Sequence, residues 1–211
     1  ATAHVALERR AGLCPGERVL VTGAAGGVGT ATLRLARHLG AVPVAVVSSA
    51  EKAAFAEAHG AAHVLRSDSM TDPRRELREA LRAEGLDGVD VVLDVVGGEM
   101  FHAGLRALRP EGRLLTVGYT SGELPAAPVN YLLLKDIAVI GSPLEHYLRN
   151  AGEAVQRRLE DLFAELGAEA LAAMVSRSLP FVRFADAAAA VEGRTALGKI
   201  VIEMQPSEPD V

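Results

Sequence analysis

The most constraining feature of this chain is a glycine-rich turn placed between an apolar strand pattern and a helical pattern. Residues 18–22 read RVLVT, a short β-branched run typical of a buried strand, and the turn TGAAGGVG follows at 22–29. A helical pattern continues to residue 39, and a second apolar run, VPVAVV, occupies 42–47. Strand, glycine turn and helix in this order predict a βαβ unit that binds a dinucleotide.

The spacing of the glycines indicates how this turn would hold a phosphate. Gly26 leaves the backbone without a side chain where a pyrophosphate approaches, and Gly29 allows the helix to pack closely on the first strand. Free N–H groups and the helix dipole favour an anion at the start of that helix. We therefore expect the cofactor phosphates to lie there.

The end of the second strand favours NADPH over NADH. A site specific for NAD usually has Asp or Glu there, about 20 residues beyond the turn, to bind the ribose hydroxyls. Here Val47 is followed by Ser48 and Ser49, and Lys52 lies in the first turn of the next helix. Small hydroxyl groups and a lysine suit a 2′-phosphate, which no strand-end carboxylate repels. Arg66, after the third strand, is a further candidate for positive charge.

Short apolar runs alternate with longer helical stretches along most of the chain. The runs are almost purely apolar, as expected of parallel strands that helices bury on both faces. The pattern predicts an α/β fold, a Rossmann doubly wound sheet of six parallel strands in the order 3-2-1-4-5-6, with a C-terminal α/β extension. The predicted strands are 18–22, 42–47, 63–65, 89–93, 112–117 and 137–140. The predicted helices between them are 27–39, 51–59, 71–84, 98–108 and 129–134.

The pattern changes after the sixth strand. The predicted elements of the extension are a helix at 146–166, a strand at 175–179, a helix at 184–192 and a strand at 198–203. The chain then divides into a leading helix at 1–12, a dinucleotide-binding domain at 13–145 and the extension at 146–204. Residues 205–211 are polar and contain prolines, so we expect a disordered tail.

Composition and charge exclude several classes of function. The 211 residues carry a net charge of −5, which gives no electrostatic surface for nucleic acid. No apolar run reaches the roughly 18 residues that a membrane span needs. The single cysteine, Cys14, and six scattered histidines predict neither an internal disulfide nor a metal site. The N-terminus lacks the pattern of a secretion signal, so we expect a cytoplasmic location.

The turn also matches the pattern T-G-x-x-x-G-x-G, which resembles the signature of short-chain dehydrogenases. Tyr131 and Lys135 even have the spacing of that family's catalytic pair. Three features argue against this family. Lys135 almost directly precedes the sixth strand instead of lying within a long helix, the fourth strand ends in DVVG where that family has Asn-Asn-Ala-Gly, and Gly118 stands where a serine is expected. We therefore interpret Tyr131 and Lys135 as structural residues.

Segments spread along almost the whole chain resemble a different family. They are LDVVGG at 93–98, LRPEGRLLTVGYTSGE at 108–123, VNYLLLKDIAVIGS at 129–142 and GKIVIEM at 198–204. Together with the glycine turn they resemble the quinone oxidoreductases, the zinc-free, zeta-crystallin-like branch of the medium-chain dehydrogenase/reductase superfamily. The resemblance covers about residues 1–204. Ala24 stands where the alcohol dehydrogenase turn has its first glycine, as in the quinone oxidoreductases.

The resemblance implies a set of NADP(H)-binding residues. The glycine turn would hold the pyrophosphate and reach the nicotinamide side, and the residues after the second strand would bind the phosphate of the adenosine ribose. The residue after the fourth strand would lie beside the adenosine, and those after the fifth strand would line the nicotinamide. The implied residues are Ala25, Gly26, Gly27, Val28, Gly29, Ser48, Ser49, Lys52, Arg66, Val95, Val117, Gly118, Tyr119 and Lys199. We interpret Asp94 as a structural residue that caps the following loop.

The resemblance also implies hydride transfer from the nicotinamide to a quinone or a conjugated enone, without a metal and with no catalytic side chain assigned in this chain. Members of the family carry a catalytic domain before this region. We therefore expect this chain to bind NADPH but to reduce quinones poorly by itself. The alternatives are an enoyl reductase domain of a polyketide synthase and a nucleotide-binding module without turnover. Relatives form dimers through the sixth strand, and 137–140 is apolar and uncharged, so we expect a homodimer through it.

Overall fold

The computed structural model describes residues 1–172 and 174–204, and its centre is a parallel sheet of six strands. The strands are β1 Arg18–Thr22, β2 Val42–Val47, β3 His63–Arg66, β4 Val89–Asp94, β5 Leu108–Thr116 and β6 Ala138–Gly141. Their order is β3-β2-β1-β4-β5-β6, which confirms the predicted doubly wound topology. The expected tail at 205–211 lies outside the described residues.

Helices cover both faces of this sheet. They are α1 Thr2–His4, which continues as a π-helix over Val5–Ala11, then α2 Gly27–His38, α3 Ala50–Ala58, α4 Pro73–Ala83, α5 Gly98–Ala107 and α6 Val129–Lys135. The leading helix ends where Gly12 adopts the left-handed conformation. Within the described residues, no helix is both long enough and apolar enough to cross a membrane.

The C-terminal extension forms a second, smaller sheet. Its elements are α7 Leu144–Leu166, α8 Ala168–Ala172, β7 Val175–Pro180, α9 Phe184–Glu192 and β8 Lys199–Glu203, and β7 and β8 pair in parallel. The single helix expected at 146–166 starts earlier and is interrupted, because the backbone at Ala151 is not helical (φ −146°, ψ 30°).

Side chains of alternating strand residues enter two separate apolar cores. Val19 and Val21 of β1 lie in one core with Leu33 of α2, whereas Leu20 lies in the other with Leu77 of α4. All five side chains are fully buried. This explains why the strand sequences are purely apolar, since a residue on either face of the sheet is covered by a helix.

The fifth strand begins earlier than the predicted start at residue 112. Val89 of β4 pairs with Leu108, but Val91 pairs with Arg113, so the register shifts between these two positions. The intervening chain includes Glu111 with a positive φ of 63°. The proline and glycine of RPEG at 109–112 are typical of a turn. In the structure the strand continues through these residues, with an irregularity in its pairing to β4.

Candidate functional site

The site predicted from the sequence lies at the carboxyl edge of the large sheet. β1 is flanked by β2 on one side and by β4 on the other, so the chain reverses its direction of winding between β1 and β4. Thr22 ends β1, Val47 ends β2 and Asp94 ends β4. Ligands of doubly wound sheets bind in the crevice beyond such a reversal.

The glycine turn presents an open helix N-terminus to this crevice. Gly26 precedes α2 and no side chain accepts a hydrogen bond from the first N–H groups of the helix. A Cβ built on Gly29 would lie 2.6 Å from Cα of Ala24, so only glycine allows α2 to pack against the turn. A Cβ on Gly26 would come no nearer than 3.4 Å to the oxygen of Gly23. The space in front of Gly26 is therefore available to a ligand, whereas Gly29 serves packing.

The three other residues of the turn that the sequence singles out have different surroundings. Ala25 is buried, and its carbonyl oxygen accepts a hydrogen bond of 2.7 Å from the N–H of Gly198 in the extension. Val28 packs against the apolar core on the α2 side of the sheet. Gly27 starts the helix, and a Cβ placed on it would lie 3.1 Å from Nζ of Lys199.

The C-terminal extension thus carries a cation to the start of α2. Gly198 and Gly26 form an isolated parallel bridge, and Lys199 follows directly. Gly198 has a positive φ of 50°, and a side chain there would meet the ring of Phe55 at 3.0 Å. Sequence analysis did not single out Gly198, although its place directly before Lys199 is a signal for a tight turn. The bridge brings Lys199, one of the expected cofactor-binding residues, to the start of α2.

Ser48 and Lys52 form a polar pair just beyond β2. Nζ of Lys52 donates a hydrogen bond of 2.9 Å to Oγ of Ser48, and both are at the surface. Oγ of Ser49 accepts a hydrogen bond of 3.2 Å from the N–H of Lys52 and so caps α3. Ser49 therefore shapes the start of the helix, while Ser48 and Lys52 place a hydroxyl group and an ammonium group at the surface just beyond β2.

Arg66 lies beside this pair but its charge is already matched. It is paired in register with Val47 at the end of β3, and its guanidinium contacts Asp68 with an Nη2 to Oδ2 distance of 2.5 Å. The hydrogen bond from Arg66 lowers the pKa of Asp68. Sequence analysis overlooked Asp68, which stands only two residues further along. Arg66 would therefore attract a bound phosphate less strongly than an unpaired arginine would, because Asp68 already neutralises its charge.

Val95, expected beside the adenosine, and the residues expected beside the nicotinamide lie on two adjacent loops that are hydrogen-bonded together. The N–H of Val117 donates to the carbonyl oxygen of Asp94 at 2.9 Å, and the N–H of Thr120 donates to that of Val95 at 3.1 Å. Val95, Val117 and Gly118 are half-buried. Tyr119 follows them and is exposed. The two loops thus form one continuous wall beyond β4 and β5.

Asp94 holds the base of that wall. Its Oδ1 accepts hydrogen bonds from the hydroxyl of Thr22 at 2.5 Å and from the N–H of Val96 at 3.0 Å, and Oδ2 accepts one from Gly97 at 3.1 Å. Burial raises the pKa of this carboxyl group, and the hydrogen bonds oppose the shift. This geometry agrees with the capping role expected from the sequence.

Tyr131 and Lys135 lie at the opposite edge of the sheet. Nζ of Lys135 donates hydrogen bonds to the carbonyl oxygens of Arg106 at 3.1 Å and Leu108 at 2.8 Å, where β5 begins. The ammonium group is 5.6 Å from the centre of the Tyr131 ring. Lys135 thus binds carbonyl oxygens at the C-terminal end of α5. This contact supports the structural interpretation of Tyr131 and Lys135.

Comparison with known proteins assigns this architecture to a family. The model of the family described as zinc-binding dehydrogenase matches residues 27–172. Within the described residues, no group of three or more His, Cys, Asp or Glu side chains could hold a metal ion. The described part of this chain therefore does not fit a zinc ion.

Known proteins are similar in sequence to this chain over most of its length. It is 34% identical over 206 residues to quinone oxidoreductase-like protein 2 of Bos taurus, covering 97% of this chain and 58% of the relative. It is 34% identical over 207 residues to 2-haloacrylate reductase of a Burkholderia species, covering 95% and 60%. The structure of mycobacterial Rv1454c in complex with NADPH superposes with a TM-score of 0.84 at 31% identity, covering 95% of this chain and 60% of that one. The chain belongs to the zinc-binding dehydrogenase family, on the quinone oxidoreductase branch of the medium-chain dehydrogenase/reductases.

Proposed function

We propose that this chain binds NADPH and forms the cofactor-binding part of a reductase that transfers hydride to a quinone or a conjugated enone. The observation that carries the proposal is the open N-terminus of α2 at the winding reversal of the sheet, with Lys199 beside Gly27 and the Ser48–Lys52 pair beyond β2. The chain spans about 60% of the length of the relatives compared above, so the acceptor of the hydride is proposed for the whole protein.

Each part of the crevice has its own task in this proposal. The N–H groups after Gly26 and the ammonium of Lys199 bind the pyrophosphate. Ser48 and Lys52 bind the 2′-phosphate of NADPH, since a lysine in the first turn of α3 adds charge where no carboxylate ends β2.

The part of the wall beyond β5 holds the nicotinamide end, and the part beyond β4 lies beside the adenosine. Val95 and Val117 present apolar surface, and Tyr119 covers the outer rim. When bound, the dihydronicotinamide supplies a hydride to an electron-poor carbon of the acceptor. This chain's own residues bind, orient and shield the reacting groups from water, and none of them is proposed as an acid or a base.

Related proteins support the class of acceptor. The relatives above include a protein named for quinone oxidoreductases and a reductase of 2-haloacrylate, whose names indicate quinones and activated alkenes. A quinone and a conjugated enone both present an electron-poor carbon to a hydride, so one apolar crevice serves either.

A pair of cofactor titrations tests the binding part of the proposal. NADPH and NADH are titrated separately into the protein while the fluorescence of the reduced nicotinamide is recorded. We expect saturable binding of both cofactors and an affinity for NADPH at least about tenfold higher, which corresponds to ~1.4 kcal/mol. Equal affinities would contradict the assignment of Ser48 and Lys52.

Turnover then separates a reductase from a nucleotide-binding module. NADPH oxidation is measured with 1,4-benzoquinone, with 2-cyclohexen-1-one and with cyclohexanone, the saturated control of the same ring size. A reductase of the proposed kind consumes NADPH with the first two acceptors and not with cyclohexanone. NADPH binding without any turnover, also in the full-length protein, would identify a binding module instead.

A further inference from the structure

A cavity that is open to solvent lies on the face of the sheet opposite the glycine turn. It has a volume of about 200 Å³ and is formed by α4, by Arg106 of α5 and by Tyr131 of α6. α4 and α5 pack on the core that contains Leu20, whereas α2 packs on the core that contains Val19. We call this cavity and the arginines that line it the basic groove.

Four arginines of α4 line the basic groove. Arg74, Arg78 and Arg82 follow one another at intervals of four residues, which places them on one face of the helix, and Arg75 is adjacent. Like charges at this spacing destabilise a helix by themselves. Core packing does not explain why these positions are arginines, because the side chains of α4 that enter the core are those of Leu77 and Leu81.

Most of this charge is not neutralised inside the protein. Arg74 is paired with Glu99, with an Nη2 to Oε1 distance of 2.8 Å. In the part of the chain that the structure describes, Arg78, Arg82 and Arg106 form no ion pair. Glu79 is the one acidic residue that lines the groove there. The groove is therefore strongly positive, although the whole chain has a net charge of −5.

Two neighbouring groups respond to this positive potential. Burial lowers the pKa of Lys135, and repulsion from Arg78 and Arg106 lowers it further. Burial likewise lowers the pKa of His102, and repulsion from Arg74 lowers it further, while Glu99 opposes the shift and Arg106 adds the smallest effect. Both shifts have the direction expected of burial combined with nearby cations.

We propose that the basic groove binds a compact polyanion of the pyrophosphate class, separately from the cofactor crevice. A guanidinium group is a planar fork that matches two phosphate oxygens at once, and several forks around a small cavity suit an anion with two or more charges. The hydroxyl of Tyr131 is a further hydrogen-bond donor at the edge of the groove. The ligand is either a free diphosphate or the phosphorylated end of a larger molecule, since both present the same oxygens.

Isothermal titration of inorganic pyrophosphate at physiological ionic strength tests this proposal with three proteins. They are the wild type, the double variant Arg78→Gln/Arg82→Gln and the control Arg149→Gln/Arg157→Gln. Both variants lose two positive charges from exposed helix positions, but the control arginines lie on α7 and are paired with glutamates. The glycine turn is unchanged in all three proteins, so any pyrophosphate bound there contributes equally.

We expect the groove variant to bind pyrophosphate at least about tenfold more weakly than the wild type, and the control to bind like the wild type. Equal losses in both variants, unchanged binding in the groove variant or no saturable binding at all would overturn the proposal. Thermal unfolding without ligand checks that the variants are folded, and Arg106→Gln tests the groove from a second helix if the double variant is unstable. A competing titration with a phosphoserine peptide distinguishes a free diphosphate from a phosphorylated partner.

Discussion

The hydroxyl of Thr22 donates a hydrogen bond of 2.5 Å to Oδ1 of Asp94 and joins the ends of β1 and β4 where the sheet reverses its winding. Both side chains are fully buried. The same hydroxyl accepts a hydrogen bond of 3.1 Å from the N–H of Val95. One short contact therefore positions both the glycine turn, which starts at Gly23, and the loop that bounds the other side of the crevice.

Replacing Thr22 with Val is expected to destabilise the fold. Valine keeps the shape of threonine, but it removes one hydrogen bond from the buried carboxyl group of Asp94 and takes away the acceptor of the N–H of Val95. The expected loss is roughly 1–3 kcal/mol in the free energy of unfolding. Urea unfolding measures it, with Thr71→Val at an exposed position as the control, expected to change stability by less than about 0.5 kcal/mol. Equal effects of both substitutions would show that the contact is unimportant.

Alanine at Gly29 and alanine at Gly26 are expected to have opposite consequences. At Gly29 the new Cβ overlaps Ala24, so the fold loses about 1–3 kcal/mol. At Gly26 the methyl group points into open space where the pyrophosphate is proposed to lie, so stability is kept and NADPH binding falls. Thermal unfolding and NADPH titration of the two variants separate these effects. A Gly26→Ala protein that binds NADPH normally would remove the turn from the phosphate site.

Replacing Lys52 with Ala is expected to weaken NADPH binding and leave NADH binding unchanged. In the proposed complex the ammonium group faces the 2′-phosphate, which NADH lacks. We expect a loss of about tenfold in NADPH affinity, ~1.4 kcal/mol. The matched control is Arg149→Ala, which removes one cation from the exposed surface of α7. A similar loss for both cofactors would indicate that Lys52 acts through the shape of α3 instead.

Glu17 is expected to link stability to acid pH. Arg113 donates hydrogen bonds to both of its carboxylate oxygens, at 2.5 Å and 2.8 Å, and thereby lowers its pKa. The unfolded chain thus binds the proton more readily, so this contribution is present above the ordinary Glu pKa of about 4.3 and is lost as pH falls through the lowered value.

Replacing Glu17 with Gln is the corresponding experiment. The variant should lose about 1 kcal/mol at neutral pH, allowing for solvent screening of a pair that is partly exposed. The difference from wild type should shrink as pH falls below about 4. Urea unfolding as a function of pH measures it, with Glu153→Gln on the exposed face of α7 as the control. A difference that does not depend on pH would contradict the ion-pair explanation.

The edge strand β6 is expected to mediate a homodimer, as its apolar sequence predicts. It has one neighbour, β5, in the sheet, and its other edge pairs with no strand among residues 1–172 and 174–204. Sedimentation equilibrium should detect a dimer, and Ile140→Lys should shift it to monomer because a charge on an edge strand opposes pairing. Leu124→Lys, at an exposed position in the loop after β5, is the control and should leave the dimer intact. A wild-type monomer at high concentration would refute this interface.

Local sequence determined the strands, most of the helices and the glycine turn. The reason is that β1 and β2 consist of residues buried on both faces, and that Gly29 occupies a position where any side chain would overlap Ala24. The sequence alone also shows that Val47, at the end of β2, is followed by two serines and not by a carboxylate. Such features depend on periodicity and on residue size, which are properties of short segments.

Only the tertiary structure decided which distant residues meet. Gly198 bridges to Gly26 and brings Lys199 to the start of α2, and Thr22 meets Asp94 across two strands. The assembly of the basic groove from three helices is also invisible in a linear pattern. These contacts arise from how the strands are ordered and how the helices pack on them, and that packing is a property of the folded chain rather than of any segment within it.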